Sequence, residues 1–281
     1  MVKIDSECNA IVNLFSTKSV KAKYPVYVKS ENPLFKRKGT SFNLKNVREY
    51  QPFDDLRRID WKLYGRTDRY YIKEFFEEEN ERFFFLIDSS ASIHIFDRDY
   101  YKSFIASLAY IFLKLHFSIS LVSFNTRIGQ TSLNIKEEKN ISRVLIFLDK
   151  LRFEQKTDLM AVLKSVRNNL KPNTVFLFSD LFDRGYTPDT AVHFRRICLL
   201  HFFTSLSELA PEPGEVEIED RELGKRLLLP YNYLNQKRIN ELEEQFIKKL
   251  ARSRKNYYYY LIRRSDHRIP FYWRILESLY G

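Results

Sequence analysis

Cysteine and glycine are both scarce in this chain of 281 residues, which has two cysteines and seven glycines. Two thiols are too few for a disulfide framework, and we expect Cys8 and Cys198 to stay reduced and to bind no metal. Cys198 also lies in the apolar run 197–203, which is typical of a buried strand. So few glycines argue against a glycine-rich loop that cradles phosphate groups.

Long apolar runs are also missing. The longest mainly apolar stretch without a charge covers residues 103–113, whereas a membrane-spanning helix needs about 20 such residues. Residues 1–10 lack the apolar core of a signal peptide. We therefore expect a cytoplasmic protein without a transmembrane segment, and peripheral contact with an anionic membrane surface stays open.

Positive charge is abundant, with a formal net charge of +11. Two segments hold the excess: residues 18–48 contain nine basic residues against one acidic, and residues 246–264 contain seven against none. Such segments can be solvated faces, or they can contact nucleic acid, a membrane surface or an acidic protein. No zinc-finger spacing or aromatic RNA-binding motif accompanies the charge, so nucleic acid is the less favoured partner.

The order of apolar runs predicts the fold. Residues 1–80 are polar and basic, and we expect them to form an N-terminal extension with one helix near 5–20 and an extended piece at 24–28. From residue 81 to 281, strands alternate with helices, which predicts an α/β domain with a doubly wound, mainly parallel sheet. Its predicted strands are 83–87, 117–124, 128–133, 174–178 and 197–203, and its predicted helices are 100–116, 141–151 and 159–170.

The last third of the chain departs from this alternation. Residues 215–219 and 226–229 predict a β-hairpin, followed by a helix at 235–252, a strand at 256–262 and a helix at 270–280. The four consecutive tyrosines 257–260 could form a stacking platform for bases. We favour a strand with alternate rings in the core, because aromatic residues are enriched in strands.

Polar residues follow two of the apolar strands. The run 83–87 ends in Asp88, followed by Ser90 and Ser92 in a D-x-S-x-S pattern, and the run 174–178 is followed by Asp180. Thr157 opens a helix between them. Open α/β sheets bind ligands beyond the carboxyl ends of their strands, and few carboxylates with several hydroxyls suit one Mg²⁺ or Mn²⁺ ion. In the alternative interpretation, the serines cap a helix and Asp88 binds backbone amides.

This set of residues resembles the metal-ion-dependent adhesion site of von Willebrand factor A domains. The resemblance implies that Ser90, Ser92 and Thr157 bind the ion directly or nearly so, and that Asp88 and Asp180 act mostly through water. It also implies an open coordination position for an acidic side chain of a protein partner.

The preceding segment resembles the R-x-Y-x-P-G-D-D-x-R-x-I-D-W-K signature of the bacterial domain of unknown function 58 family. The matching residues are Arg48, Tyr50, Pro52, Asp54, Asp55, Arg57, Ile59, Asp60, Trp61 and Lys62, followed by Arg66. The resemblance extends over nearly the whole chain, from the N-terminal helix through a D-x-E-x-G-like hairpin at 220–224 to the final helix. It implies a partner of the MoxR-type AAA+ ATPase class, or a client of such an ATPase.

Three positions depart from the family pattern. Phe53 replaces a glycine, Ile93 replaces a methionine, and Gln155 and Lys156 replace the two glycines before Thr157. The first two departures leave the metal ligands intact. The third can stiffen or redirect the loop, which makes Thr157 the least secure of the predicted ligands.

The charges of the signature form no catalytic arrangement. We expect them to make an ion-pair network with Trp61 as its apolar anchor, or else a docking surface; the charged residues are Asp54, Asp55, Asp60, Arg57, Arg58 and Arg66.

Enzyme mechanisms fit the sequence poorly. A haloacid dehalogenase-type phosphatase needs a second aspartate where Ser90 stands, and a serine hydrolase needs a G-x-S-x-G elbow with a histidine partner. We therefore expect no catalysis. A Mg²⁺-dependent nuclease or nucleic-acid-binding protein that uses the basic extension is the alternative, although only Asp158 and Asp183 could add carboxylates to the metal.

Overall fold

The computed structural model describes residues 2–21, 44–52, 54–56, 59–75, 82–181, 186, 194–209, 214–220, 225–252 and 256–280. The chain divides into two compact units. The larger unit combines Met1–Ala22 with Glu81–Gly281, and the smaller unit is Lys23–Asn80.

The strands in chain order are β1 Leu44–Glu49, β2 Tyr71–Phe75, β3 Arg82–Asp88, β4 Ser118–Phe124, β5 Ile128–Ile135, β6 Thr174–Ser179, β7 Arg196–Phe202, β8 Gly214–Asp220, β9 Lys225–Tyr231 and β10 Tyr257–Ile262. The α-helices are α1 Cys8–Lys21, α2 Trp61–Thr67, α3 Arg98–Lys114, α4 Ile141–Asp149, α5 Leu159–Leu170, α6 Leu206–Leu209, α7 Tyr233–Leu250 and α8 Arg268–Tyr280. Short 3₁₀ helices cover Ala91–Ile95 and Glu138–Asn140.

A six-stranded sheet with the order β10-β7-β6-β3-β4-β5 is the centre of the larger unit. Five strands run parallel, and β5 pairs antiparallel with β4 at one edge. From β3 the chain first adds β4 on one side and later adds β6 on the other, which makes the β3–β6 boundary a topological switch point. The predicted α/β class with a doubly wound, mainly parallel sheet is confirmed.

The apolar strands are buried on both faces. Phe83 and Phe85 pack against Phe112 of α3, with ring centroids 5.0 and 5.5 Å apart. Phe84 and Leu86 belong instead to a core cluster that includes buried side chains of α5. Alternate side chains of β3 thus cover opposite faces, which explains why a parallel strand has a continuous apolar sequence rather than an alternating one.

The N-terminal helix lies in the larger unit and not in an extension that reaches residue 80. Helix α1 buries Cys8 and Ile11, and it contacts α3 and α8. Before it, the Asp5 carboxylate accepts hydrogen bonds from Arg268 at 2.8 Å and from Tyr272 at 2.7 Å. Because these contacts tie residues near the N-terminus to α8, the N-terminal helix belongs to the larger unit and not to the predicted extension 1–80. The extended piece predicted at 24–28 lies outside the described residues.

The last third of the chain matches its predicted elements. Strands β8 and β9 pair in antiparallel register, and β10 adds to the edge of the sheet beside β7. Tyr257 is buried in the core cluster that includes Phe84 and Leu86, and Tyr259 packs against that cluster. The residues at 221–224 of the D-x-E-x-G-like turn lie outside the described residues. In the described part of the chain, no helix combines the length and the apolar character that crossing a bilayer requires.

Candidate metal centre

The Asp88 carboxylate lies at the carboxyl end of β3 and is fully buried. It accepts hydrogen bonds from the Ser90 amide to Oδ1 at 2.9 Å and from the Ser179 hydroxyl to Oδ2 at 2.6 Å. Burial raises the pKa of Asp88, and the hydrogen bonds from the hydroxyls oppose this shift. A cation beside this carboxylate would offset the cost of its burial.

Ser90 and Ser92 bring their hydroxyls together in the turn after β3. Both side chains are buried, and their Oγ atoms lie 2.9 Å apart. Ser90 precedes the 3₁₀ helix Ala91–Ile95, but its side chain makes no capping hydrogen bond there. The capping alternative therefore does not describe Ser90, although the Ser90 amide does bind Asp88 as that alternative proposed.

The loop before α5 brings Thr157 to the same carboxylate. Thr157 Oγ1 lies 3.4 Å from both carboxylate oxygens of Asp88. The loop is held by the Ala91 amide, which donates to the Gln155 carbonyl at 2.9 Å, and Gln155 adopts a left-handed φ of 67°. A left-handed φ favours glycine, which the resembled pattern has at this position, so Gln155 holds the loop at a cost in backbone strain.

Asp180 follows β6, the neighbour of β3 in the sheet. The residue is 6% exposed, and its carbonyl oxygen lies 3.1 Å from His201 Nε2. Asp88 and Asp180 are both close enough to the Tyr101 hydroxyl to raise its pKa, although burial is the larger cause. The residue after Asp180 is Leu181, which has a left-handed φ of 58°.

Three supporting residues were not among the predicted ligands. The Ser179 hydroxyl contacts Asp88, the Tyr101 hydroxyl lies within 3.0 Å of the Asp88 carbonyl and 2.9 Å of the Phe178 carbonyl, and His201 contacts the Asp180 carbonyl. Ser179 could be found from its position beside Asp180. Tyr101 and His201 carry no motif. Burial lowers the pKa of His201 to about 3, which keeps the ring neutral at physiological pH.

The donor set fits a hard divalent cation. Carboxylate and hydroxyl oxygens from three segments, the turn after β3, the loop before α5 and the end of β6, meet at one edge of the sheet, and such ligands suit Mg²⁺ or Mn²⁺. Asp158 does not join them, because its carboxylate accepts from the Ala161 amide at 2.9 Å and caps α5. Among the described residues, no group of three or more His, Cys, Asp or Glu side chains could hold a metal, so hydroxyls would have to contribute. Asp183 lies outside the described residues.

The signature segment is described within the smaller unit. Arg48 binds both oxygens of Asp54 at 2.7 and 2.6 Å, and Lys73 lies 3.3 Å from Asp60. Asp60 also accepts hydrogen bonds from the amides of Lys62 and Leu63 and so caps α2. Tyr50 pairs edge-on with Tyr70, and Pro52, Asp55 and Arg66 are exposed. Phe53, Arg57 and Arg58 lie outside the described residues.

Trp61 differs from its predicted role as an apolar anchor. It begins α2, a helix without a buried residue, and 62% of its surface is exposed. The Asp60 cap fixes Trp61 in the first turn of this exposed helix, which explains the difference. Ile59 and Ile72 are the buried apolar pair here, and an antiparallel bridge joins them.

Sequence comparison agrees with the signature. Residues 46–255 match the family described as protein of unknown function DUF58. The chain belongs to the DUF58 family. This matched range includes both the signature segment and every predicted metal ligand of this DUF58 protein.

Several solved structures are similar to this DUF58 chain. The conserved hypothetical protein BatB from Bacteroides thetaiotaomicron is 14% identical, with a TM-score of 0.46, over 71% of this chain and 98% of that one. An aerotolerance-related membrane protein from Bacteroides fragilis NCTC 9343 is 13% identical over the same shares, with a TM-score of 0.45. A von Willebrand factor type A structure from Catenulispora acidiphila is 12% identical over 44% of this chain and 33% of that one, with a TM-score of 0.35. A comparison with curated protein sequences gives no match.

Proposed function

We propose that this DUF58 protein is a non-catalytic adaptor that binds a protein partner through a divalent metal ion, Mg²⁺ or Mn²⁺. The observation that carries the proposal is that the Ser90 and Thr157 hydroxyls contact the Asp88 carboxylate at the switch point of the sheet, with the Ser92 hydroxyl beside that of Ser90. Asp180 follows the adjacent strand as the fifth proposed ligand. Hydroxyls bind a cation without neutralising it, so this face would favour one more negative ligand.

An acidic side chain of the partner supplies that ligand. Two carboxylates that act mostly through water leave the ion under-neutralised, and an incoming aspartate or glutamate completes its shell. Losing one member of a desolvated charge pair at an interface typically costs about 2 to 5 kcal/mol. Removal of the metal should therefore weaken the complex by at least about tenfold.

The proposed partner is a MoxR-type AAA+ ATPase or its client during the assembly or maturation of a protein complex. Membership of the DUF58 family supports this choice through the association that the family resemblance implies. A catalytic role is not proposed, because the sequence carries no G-x-S-x-G elbow and has Ser90 where a haloacid dehalogenase-type phosphatase needs its second aspartate.

The test is co-purification from native cells with tagged wild type and with Asp88→Ala, each with and without chelator. Replacing this buried carboxylate removes a charge that is costly to bury but leaves the Ser90 amide and the Ser179 hydroxyl without their acceptor, so circular dichroism first checks that the variant folds. An ATPase or client that is recovered only with wild type and metal supports the proposal. A partner that is recovered equally in all four samples would show that the contact lies elsewhere, and the basic extension before Arg48 is then the alternative contact surface.

Nucleic acid is the alternative partner, and the same eluates test it. In the described part of the basic segment 246–264, Lys248 pairs with Glu244 at 3.1 Å and Arg264 pairs with Asp97 at 3.3 Å. These ion pairs favour a solvated face over a free phosphate-binding surface. Any affinity for nucleic acid should fall steeply with salt, because phosphate contacts release counterions. Salt-resistant recovery of RNA or DNA, or metal-dependent cleavage, would favour the alternative.

A further inference from the structure

Two hydrogen bonds, the first part-buried and the second buried, connect the edge strand β10 to the candidate metal centre. The Tyr259 hydroxyl of β10 lies 2.7 Å from His201 Nδ1, and His201 Nε2 lies 3.1 Å from the Asp180 carbonyl oxygen. His201 lies on β7 with its side chain fully buried. These hydrogen bonds connect β10, β7 and the residue that follows β6. They end on the backbone of Asp180, a proposed metal ligand.

The direction of these hydrogen bonds follows from their last acceptor. A carbonyl oxygen only accepts, so His201 Nε2 must carry a hydrogen and donate it to Asp180. In the neutral ring, Nδ1 is then an acceptor, and the Tyr259 hydroxyl donates to it. The Asp180 carbonyl therefore fixes the tautomer, and the Tyr259 hydroxyl holds the ring by its other nitrogen.

The turn that carries Asp180 needs such support. Leu181 has a left-handed φ of 58°, which is unfavourable for a residue with a side chain. Its amide donates to the Ser179 hydroxyl oxygen at 2.9 Å, and the Tyr101 hydroxyl holds the preceding Phe178 carbonyl at 2.9 Å. His201 binds the carbonyl between these two contacts. A strained turn remains ordered only when its surroundings determine its conformation, and His201 is part of those surroundings.

We propose that His201, oriented by Tyr259, is a positioning residue that holds the Asp180 turn in the conformation that binds the metal ion. This inference rests on the proposed metal-dependent function. Groups that orient metal ligands typically change metal affinity by about 10- to 100-fold when they are lost. Here His201 acts on the backbone of the ligand, so we expect an effect at the lower end of that range.

The experiment is a calorimetric titration of the full chain with Mn²⁺ alone. His201→Leu removes the donor to Asp180, His201→Gln restores a donor near the position of Nε2, and Tyr259→Phe removes only the hydroxyl that holds Nδ1 of the ring. Tyr257→Phe is the matched control, because it also removes a tyrosine hydroxyl from β10. That hydroxyl donates to the Leu250 carbonyl of α7 at 3.0 Å and not to His201. Circular dichroism and thermal unfolding measure the fold and stability of each variant.

We expect His201→Leu to weaken Mn²⁺ binding roughly tenfold, Tyr259→Phe by about threefold or more, and His201→Gln by less than about threefold. Tyr257→Phe should lose stability but keep wild-type Mn²⁺ affinity. If His201→Leu does not fold, Tyr259→Phe and His201→Gln still decide between the outcomes.

Two results would overturn the inference in different ways. Wild-type Mn²⁺ affinity in folded His201→Leu or Tyr259→Phe would mean that His201 is only a packed core residue, and the proposed function would stand. If Tyr257→Phe loses as much Mn²⁺ affinity as Tyr259→Phe, the loss comes from general destabilisation, and His201 is again only a packed core residue. Absence of Mn²⁺ binding by the wild type would refute the metal-dependent function, and the positioning role with it.

Discussion

Tyr101→Phe tests how the two central strands are joined at the candidate metal centre. Tyr101 lies on α3, and its ring is fully buried. Its hydroxyl lies 3.0 Å from the Asp88 carbonyl of β3 and 2.9 Å from the Phe178 carbonyl of β6. The substitution removes one oxygen atom. The ring contact with Phe202, at a centroid distance of 4.7 Å, is kept.

The expected loss of stability follows from what remains buried after the substitution. Two carbonyl oxygens lose the hydroxyl between them, and water cannot replace it without opening the core. Leaving a buried polar group without its partner costs about 1 to 3 kcal/mol. We therefore expect the free energy of unfolding of Tyr101→Phe to fall by about 1 to 3 kcal/mol.

The assay is urea unfolding, followed by circular dichroism, with Tyr110→Phe as the matched control on the same helix. The Tyr110 hydroxyl binds Asn9 at 3.0 Å and Glu138 at 3.1 Å, and water can reach both partners. Its loss should cost less than about 0.5 kcal/mol, as is usual for surface substitutions. The reasoning fails if Tyr101→Phe is no less stable than Tyr110→Phe at equal m-values.

Two further predictions concern the Gln155 loop and the signature segment. Gln155 has a φ of 67°, so Gln155→Gly should be more stable than Gln155→Ala by about 1 kcal/mol; urea unfolding of both variants measures this, and the opposite order would contradict the left-handed conformation. The hydrogen bond from Arg48 lowers the pKa of Asp54 from 3.8 to about 2, so the contribution of Asp54 to stability is fully present above pH 3.8 and is lost as pH falls through about 2. NMR titration of the Asp54 carboxyl should give a midpoint near 2 in wild type and a midpoint nearer 3.8 in Arg48→Ala, and equal midpoints would refute the role of Arg48.

The central sheet could be predicted from the sequence because its strands are buried on both faces. A strand such as β3 then has five consecutive apolar residues before Asp88, which marks both the strand and the edge where the site lies. The order of these strands along the chain also predicts that Asp88 and Asp180 lie at one edge. Ser90 and Ser92 follow from their sequence distance to Asp88.

Contacts between distant segments could not be predicted in this way. The Tyr259–His201 hydrogen bond joins residues 58 positions apart and depends on β10 lying beside β7. Asp5 and Arg268 are 263 positions apart, and their ion pair holds the N-terminal segment against α8 in the larger unit. Neither pair has a local pattern, because such contacts follow from the order of edge elements rather than from neighbouring residues.

The most direct test of the account is a calorimetric titration of the wild type and Asp88→Ala with Mn²⁺, with Asp99→Ala as a control. Asp99 is an exposed carboxylate in the first turn of α3, so its removal should leave metal binding unchanged. The account predicts one weakly bound ion in wild type and Asp99→Ala, and none in folded Asp88→Ala. Equal Mn²⁺ binding by all three proteins would contradict the assignment of the metal centre.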